Sequence, residues 1–460
     1  MQEALAILGT VRNRSKSLVP LNHLPFEIIV DILSLVAPKC IIDHQPHSDK
    51  VDHRLFPAVT MSTISKGLKY VVINAPSLWT HIDLLFGGPH EAVHVHHARS
   101  YLQYSGQSSL YVHAANFGTT EYQSERAIRV LAPHAQRIVS VSFHVVPRLA
   151  KELVLGLFDN TAAPYQTEMF CLNDRDCITI GEDIDRNFYR ELFDGRLDKF
   201  LEPLQTVVLK GPVPPFQSVA LRGLTVLKLS GCETTTSRPT LLQLIGVLAA
   251  CPELRVLTLI YCQFDIKSKV PIEPVPLPKL ELLDLRRAYA GELLGILSCI
   301  TPGSNPLTLS MWGDPFMHEA GTIQLSNFIN QSNVTRLYLE SLYFPDDIPD
   351  PPQLLTHVFP GIQELALCDY SFNELAVLNP LDVKKFPSLR TLHVLRCDTD
   401  LSSWHALVDS SVIETVYTDD DYNSKLLARA IPFVRHRKYS GICRGEGDSE
   451  WPVCEYMSRF

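Results

Sequence analysis

The 460-residue sequence contains no GxxxxGK[ST], GxGxxG or GxSxG pattern, and none of its eleven cysteines forms a CxxC pair. Each absence removes a chemistry. There is no glycine loop to cradle phosphates, no nucleophile elbow and no paired thiols. No run of eighteen apolar residues is present, so no segment spans a bilayer. The opening MQEALAILGTVRNRSKS lacks a basic start, and its apolar piece stops at Gly9, so it does not read as a secretory signal. Charge is sparse, at 20% of residues, and its balance is −9. A protein that tracks nucleic-acid phosphates carries a basic face, so none is expected as a partner. Without a secretory route, the odd set of cysteines reads as reduced, mostly buried thiols of a cytoplasmic or nuclear protein. The sequons at Asn13, Asn330 and Asn333 then carry no sugar.

What the chain does have is apolar residues, 46% of the total, enough for a small domain and a large one or a repeat array. The first informative stretch is Leu21–Val36, LNHLPFEIIVDILSLV. Pro25 suits a first helical position, Asn22 a cap, and Pro38 ends the element. At helical period the polar residues Glu27, Asp31 and Ser34 form one narrow stripe, and the rest of the surface is apolar. Such a helix buries one face in its own domain and has a second face to give to something else.

Leu24, Pro25, Glu27, Ile28, Ile32, Leu33 and Leu35 resemble the opening of an F-box. Ala75-Pro76-Ser77-Leu78-Trp79 is similar to the xPxLW ending common in F-box families of mushroom-forming fungi. Between them the usual Val-Cys-x-x-Trp reads Ile64-Ser65-Lys66-Gly67-Leu68, and the connection Lys39–Phe56 is long and polar.

From Phe86 a turn at Gly87-Gly88-Pro89 and a helix lead into a repeat, LxxLxLxxC. Full copies are Leu224-Leu227-Leu229-Cys232, Leu254-Leu257-Leu259-Cys262 and Leu389-Leu392-Val394-Cys397; looser ones begin at Leu280, Val334 and Ile362. Degenerate copies include Leu110-Val112, Ile138-Val141-Phe143, Leu204-Val207-Leu209, Leu307-Leu309 and Ile413-Val416. The middle positions 207, 227, 257, 283, 307, 337, 365, 392 and 416 are spaced like leucine-rich repeats, apart from one short step after an irregular insertion at 174–199. Helical segments are expected at Thr240–Ala249, Gly291–Ile300 and Ala320–Ile329. Pro252, Pro278, Pro360 and Pro387 each stand two residues before a strand's first apolar residue and deliver the chain extended. The fold class is therefore α/β: a small all-α F-box-like domain at 19–84 after a lead-in at 1–18, then a leucine-rich-repeat solenoid with a curved parallel sheet at 85–432, clearest over 201–418. The tail 433–460 leaves the repeat and either caps it through Trp451 and Tyr456 or is disordered.

On each strand the residue between the repeat leucines points away from the core. That column reads Lys228, Thr258, Asp284, Thr308, Tyr338, Ala366, His393 and Tyr417, flanked by Arg286, Arg336, Glu340 and Asp419. Mixed charge and aromatics on a concave sheet suit protein recognition. Lys228, Asp284, Arg286, Arg336, Tyr338, His393 and Tyr417 are the candidate substrate contacts. His90, His94 and His97 share a helical face near His96, but no cysteine lies near and helix-face histidines are more often solvent-exposed, so no metal ligand set is assigned. Loop histidines His44, His47 and His53 and the run Asp419-Asp420-Asp421 read as solvated, and the repeat cysteines as packing residues.

The whole chain resembles an F-box protein with C-terminal leucine-rich repeats. That resemblance implies a substrate receptor of an SCF-type (Skp–cullin–F-box) ubiquitin ligase, without catalytic residues or cofactors. Leu24, Pro25, Ile28, Ile32 and Leu35, with Pro76, Leu78 and Trp79, would dock on a Skp-type adaptor, and the solenoid would hold a target protein. The alternative is a repeat scaffold outside any ligase, whose N-terminal helices only cap the array.

Overall fold

The computed structural model describes residues 24–36, 57–87, 91–116, 124–159, 166–173, 197–210, 215–231, 238–266, 273–286, 288, 290–312, 319–340, 357–372, 386–395, 397–399, 413–418 and 435–438. The lead-in, the 39–56 connection, Cys232, His90, the run 419–421 and the end of the tail lie outside them. Two compact units divide the chain: Met1–Lys210 with Ser218–Ala220, and Gly211–Gln217 with Leu221–Phe460.

The first unit starts with three helices, α1 (Phe26–Val36), α2 (Pro57–Ile64) and α3 (Lys66–Ile73), and a 3-10 turn at Pro76–Trp79. Ser65 separates α2 from α3 and caps the latter, its hydroxyl accepting from the Leu68 amide at 3.1 Å. The residue that departs from the F-box pattern thus has a local use. Next come five strands, β1 (His81–Phe86), β2 (Leu110–Asn116), β3 (Ile138–His144), β4 (Met169–Asn173) and β5 (Thr206–Lys210), all paired in parallel in chain order. Helices α4 (Glu91–Tyr104), α5 (Ser124–Leu131) and α6 (Pro147–Phe158) make the crossovers, and a short α7 (Asp198–Leu201) precedes β5. Ile82, Val112 and Val141 fall in one register, so the repeating strand pattern is already running at β1.

In the second unit the strands pair in parallel in the order β6 (Val226–Ser230), β7 (Val256–Ile260), β9 (Leu282–Leu285), β11 (Leu307–Trp312), β12 (Val334–Glu340), β13 (Glu364–Cys368), β15 (Thr391–Leu395), β17 (Thr415–Thr418) and β18 (Arg435–Lys438). The run is open and solenoid-like. Strand β18 adds a rung where the sequence leaves the repeat pattern. Short strands β8 (Val275–Leu277), β10 (Ile300–Pro302), β14 (Ser371–Phe372) and β16 (Asp398–Thr399) form two separate parallel pairs. Helices α8 (Leu241–Ala249), α9 (Ala290–Ser298) and α10 (Glu319–Gln331) lie near the expected segments. Thr240 and Gln243 close α8 with a reciprocal capping box.

Local chemistry explains the repeat. In each of the four proline copies the amide two residues after the proline donates back across a turn: Leu254 to Cys251, Leu280 to Leu277, Ile362 to Phe359 and Leu389 to Phe386. Proline stands second in each turn, where its fixed φ is pre-set. At the strand exits Gly231, Tyr261 and Asp369 are left-handed, with φ of 72°, 54° and 62°. Two of these three equivalent positions carry a side chain, at a cost of about 1 kcal/mol each. The thiols of Cys262 and Cys397 donate to the carbonyls of Leu229 and Leu367, so each cysteine ties a strand exit to the preceding repeat.

One register differs from expectation. Leu309, not Leu307, aligns with Leu283 and Leu337, and on the β12 side a bulge between Leu307 and Thr308 brings Leu309 opposite Leu337. Ser310 therefore replaces Thr308 in the outward column, and the repeat spacing becomes more even.

Candidate protein-interaction surfaces

Helix α1 divides into three sides. Ile29 and Leu33, four residues apart, are buried. Glu27 and Asp31 are exposed on another side. Between these sides lie Ile28, Ile32 and Leu35, in line with Leu24, and all four are exposed, Leu35 at 84% and Ile28 at 44%. Pro25 is exposed and its carbonyl accepts from the Ile29 amide at 3.1 Å, closing the first turn. Phe26, Ile64 and Tyr70 add further exposed apolar surface that the motif residues did not single out. An apolar stripe of this kind is what a partner surface covers.

The turn carrying the other three motif residues behaves differently. Pro76 is exposed, but Leu78 and Trp79 are buried. Trp79 Nε1 donates to the Val72 carbonyl at 2.7 Å, and its ring meets Tyr101 and Tyr104 of α4 at 5.0 and 4.7 Å. This corrects their assignment as contact residues. A tryptophan with its apolar ring enclosed and its one donor satisfied anchors helices to each other and has nothing left to offer a partner.

The outward column of the second unit needs a similar correction. Asp284, Arg286, Tyr338 and His393 are buried; Lys228, Arg336 and Tyr417 are half-buried. Val226, Val256, Leu282, Ala366 and Leu395, on the same side, are buried too, so side chains of neighbouring strands cover one another along this face. Several of the polar members pair with one another or with a neighbouring carboxylate. Arg286 forks onto the Asp284 carboxylate at 2.9 and 3.0 Å. Tyr338 donates to Glu364 Oε1 at 2.7 Å, His393 Nε2 lies 3.1 Å from the same oxygen, and Arg336 Nε lies 3.4 Å from Oε2. The His393 ring stacks on Tyr417 at 4.4 Å. Burial pushes the Glu364 carboxyl up, but His393, Tyr338 and Arg336 outweigh it and hold the group below its ordinary range. Sequence spacing brought these residues to one face; it did not make them solvent-facing.

The α4 histidines do not converge. His94 is buried, its Nδ1 3.4 Å from the Asp83 carbonyl, while His96 is exposed and His97 half-buried. Burial, then His96, lowers the His97 pKa. One other donor set does converge. Glu340, Cys368 and Asp369 place their oxygen and sulfur donors within 4.8 Å of one another, the only such set among the described residues. Glu340 was visible as a flanking-column residue; its neighbours follow only once β12 and β13 are aligned.

Among the described residues no helix is long and apolar enough to cross a membrane. The sequence matches no protein-family model and no curated protein.

Proposed function

We propose that the chain is a non-catalytic substrate receptor of an SCF-type ubiquitin ligase, working in the cytoplasm or nucleus. The observation that carries this reading is the exposed apolar stripe Leu24, Ile28, Ile32 and Leu35 on a helix that buries Ile29 and Leu33 on another side. With Pro25 and Pro76 it forms the surface offered to a Skp-type adaptor. Leu78 and Trp79 act as positioning residues that fix the helices behind it. Covering each large apolar side chain contributes about 1–2 kcal/mol, so four or five give a stable contact. The repeat units would hold the target, with Lys228, Arg336 and Tyr417 the members of the outward column that retain exposure. Ubiquitin transfer then gains from effective concentration, the chain keeping a target lysine near a thioester supplied elsewhere.

The test is co-purification with the adaptor. The unaltered chain should retain it, and the double variant Leu24→Asp, Pro25→Asp should lose it while keeping a native circular-dichroism spectrum. Retention by the double variant overturns the docking assignment. The second reading, a scaffold whose helices cap the array, is favoured by the packing of Trp79 on Tyr101 and Tyr104. An unaltered chain that never retains adaptor supports it.

A further inference from the structure

We propose that Glu340, Cys368 and Asp369 form a binding site for a thiophilic divalent cation of the zinc class. The site is built by the repeat geometry of the second unit and is independent of the ligase reading. Glu340 ends β12 and Cys368 ends β13, and the two residues are register partners. Asp369 follows directly, at the left-handed exit of β13, with its amide donating to the Leu395 carbonyl at 3.1 Å. Two adjacent strands thus present one thiol and two carboxylates at a single point, all donor atoms within 4.8 Å of one another.

Three features separate this set from a surface acidic patch. Glu340 and Cys368 are each more than nine-tenths buried, at 8% and 2% exposure, while Asp369 is half-buried and leaves a route in. The donors differ in kind: a thiolate is soft and selects zinc-class ions over magnesium or calcium, and carboxylate oxygens complete such a sphere. The scale also fits, since donors around a tetrahedral zinc lie about 3.5 Å apart, which leaves roughly 1 Å of closure. The Cys368 Sγ already leans on Asp369 Oδ2 at 3.6 Å. In the metal-free state that thiol holds a proton in the company of two carboxyls. A bound dication would displace the proton to solvent, neutralise two of three negative donors, and leave a fourth position for water. It would cross-tie the exits of β12 and β13.

The full-length chain, stripped with chelator and reloaded with Co²⁺, tests this by absorbance. About one Co²⁺ per chain should give a thiolate-to-cobalt charge-transfer band in the near ultraviolet, and Zn²⁺ should displace it. Cys368→Ser should abolish the band, and Asp369→Asn should weaken cobalt binding roughly tenfold or more. Cys262→Ser, a thiol that donates to the Leu229 carbonyl in repeats away from β12 and β13, should leave the band intact. Apparent affinity should rise with pH as the thiol proton is released. A chain that takes up no Co²⁺, or a band that survives Cys368→Ser, overturns the site. Asp369→Asn keeps the test decisive should Cys368→Ser fail to fold.

Discussion

Asp83 and His113 are register partners on β1 and β2, on the side of the strands facing away from Ile82 and Val112. Burial pushes the Asp83 carboxyl up to about 7. Burial, with His81 and His144 close by, pushes His113 down to about 3. His81 stacks on Tyr111 at 4.5 Å and lies 6.4 Å from His113. The two shifts act oppositely on stability. The Asp83 carboxyl binds its proton more tightly folded than unfolded, so its contribution is full below pH 3.8 and is lost as pH rises through about 7. His113 favours the neutral form when folded, so its contribution is full above pH 6.5 and is lost as pH falls toward 3. Between roughly pH 4 and 6.5 the two slopes cancel, and above that only Asp83 changes. Asp83→Asn should therefore stabilise the chain at pH 8, by about 2 kcal/mol after allowance for screening, and have little effect at pH 4. Thermal melts at the two pH values check this; a gain that is equal at both contradicts the assignment to Asp83 ionisation.

At the level of elements, the 3-10 turn Pro76–Trp79 shows how a motif can be legible while its role is not. The sequence places a tryptophan there, and long-range packing determines whether it faces outward. The answer is inward, onto α4 and the end of α3. Trp79→Ala should cost about 3–5 kcal/mol by emptying that site. Trp79→Phe should cost less, about 2 kcal/mol, since a six-membered ring is kept while the five-membered ring and its donor to Val72 are lost. Denaturant unfolding measures both. Adaptor retention by folded Trp79→Phe at the level of the unaltered chain is the outcome expected of a positioning residue; selective loss of binding would return Trp79 to the contact surface. Helix α1 is the opposite case. Its period alone separates the charged side from the apolar ones, and the structure adds which apolar side is covered. Ile29 and Leu33 turn inward; Ile28, Ile32 and Leu35 do not.

For the molecule as a whole, the proposed docking rests on apolar area in a chain of net charge −9. Salt screens charge pairs within a few ångströms at molar concentration but leaves apolar burial intact or strengthened. Adaptor captured by the full chain should therefore stay bound through a wash of about 0.5 M salt. Release at that step would place the contact on the exposed charges Glu27, Asp31, Lys66 and Lys69 instead.

Much of the architecture is local and hence readable in the sequence. An apolar residue at every second position fixes which side of a strand meets the helices. A proline second in a turn fixes the strand entry, and a repeat of near-constant length obliges units to stack in parallel, because no unit covers its own apolar side. The tertiary structure decided what depends on atoms far away in the chain. Alternation says that Asp284, Tyr338 and His393 leave the helix side; only packing says that they are enclosed there. The register of β11 on β9 exchanges Thr308 for Ser310 in the column, since pairing is set by the neighbouring strand and not by the leucine count. The meeting of Glu340 with Cys368 and Asp369 likewise follows from register between two strands, a quantity that periodicity within either strand does not contain.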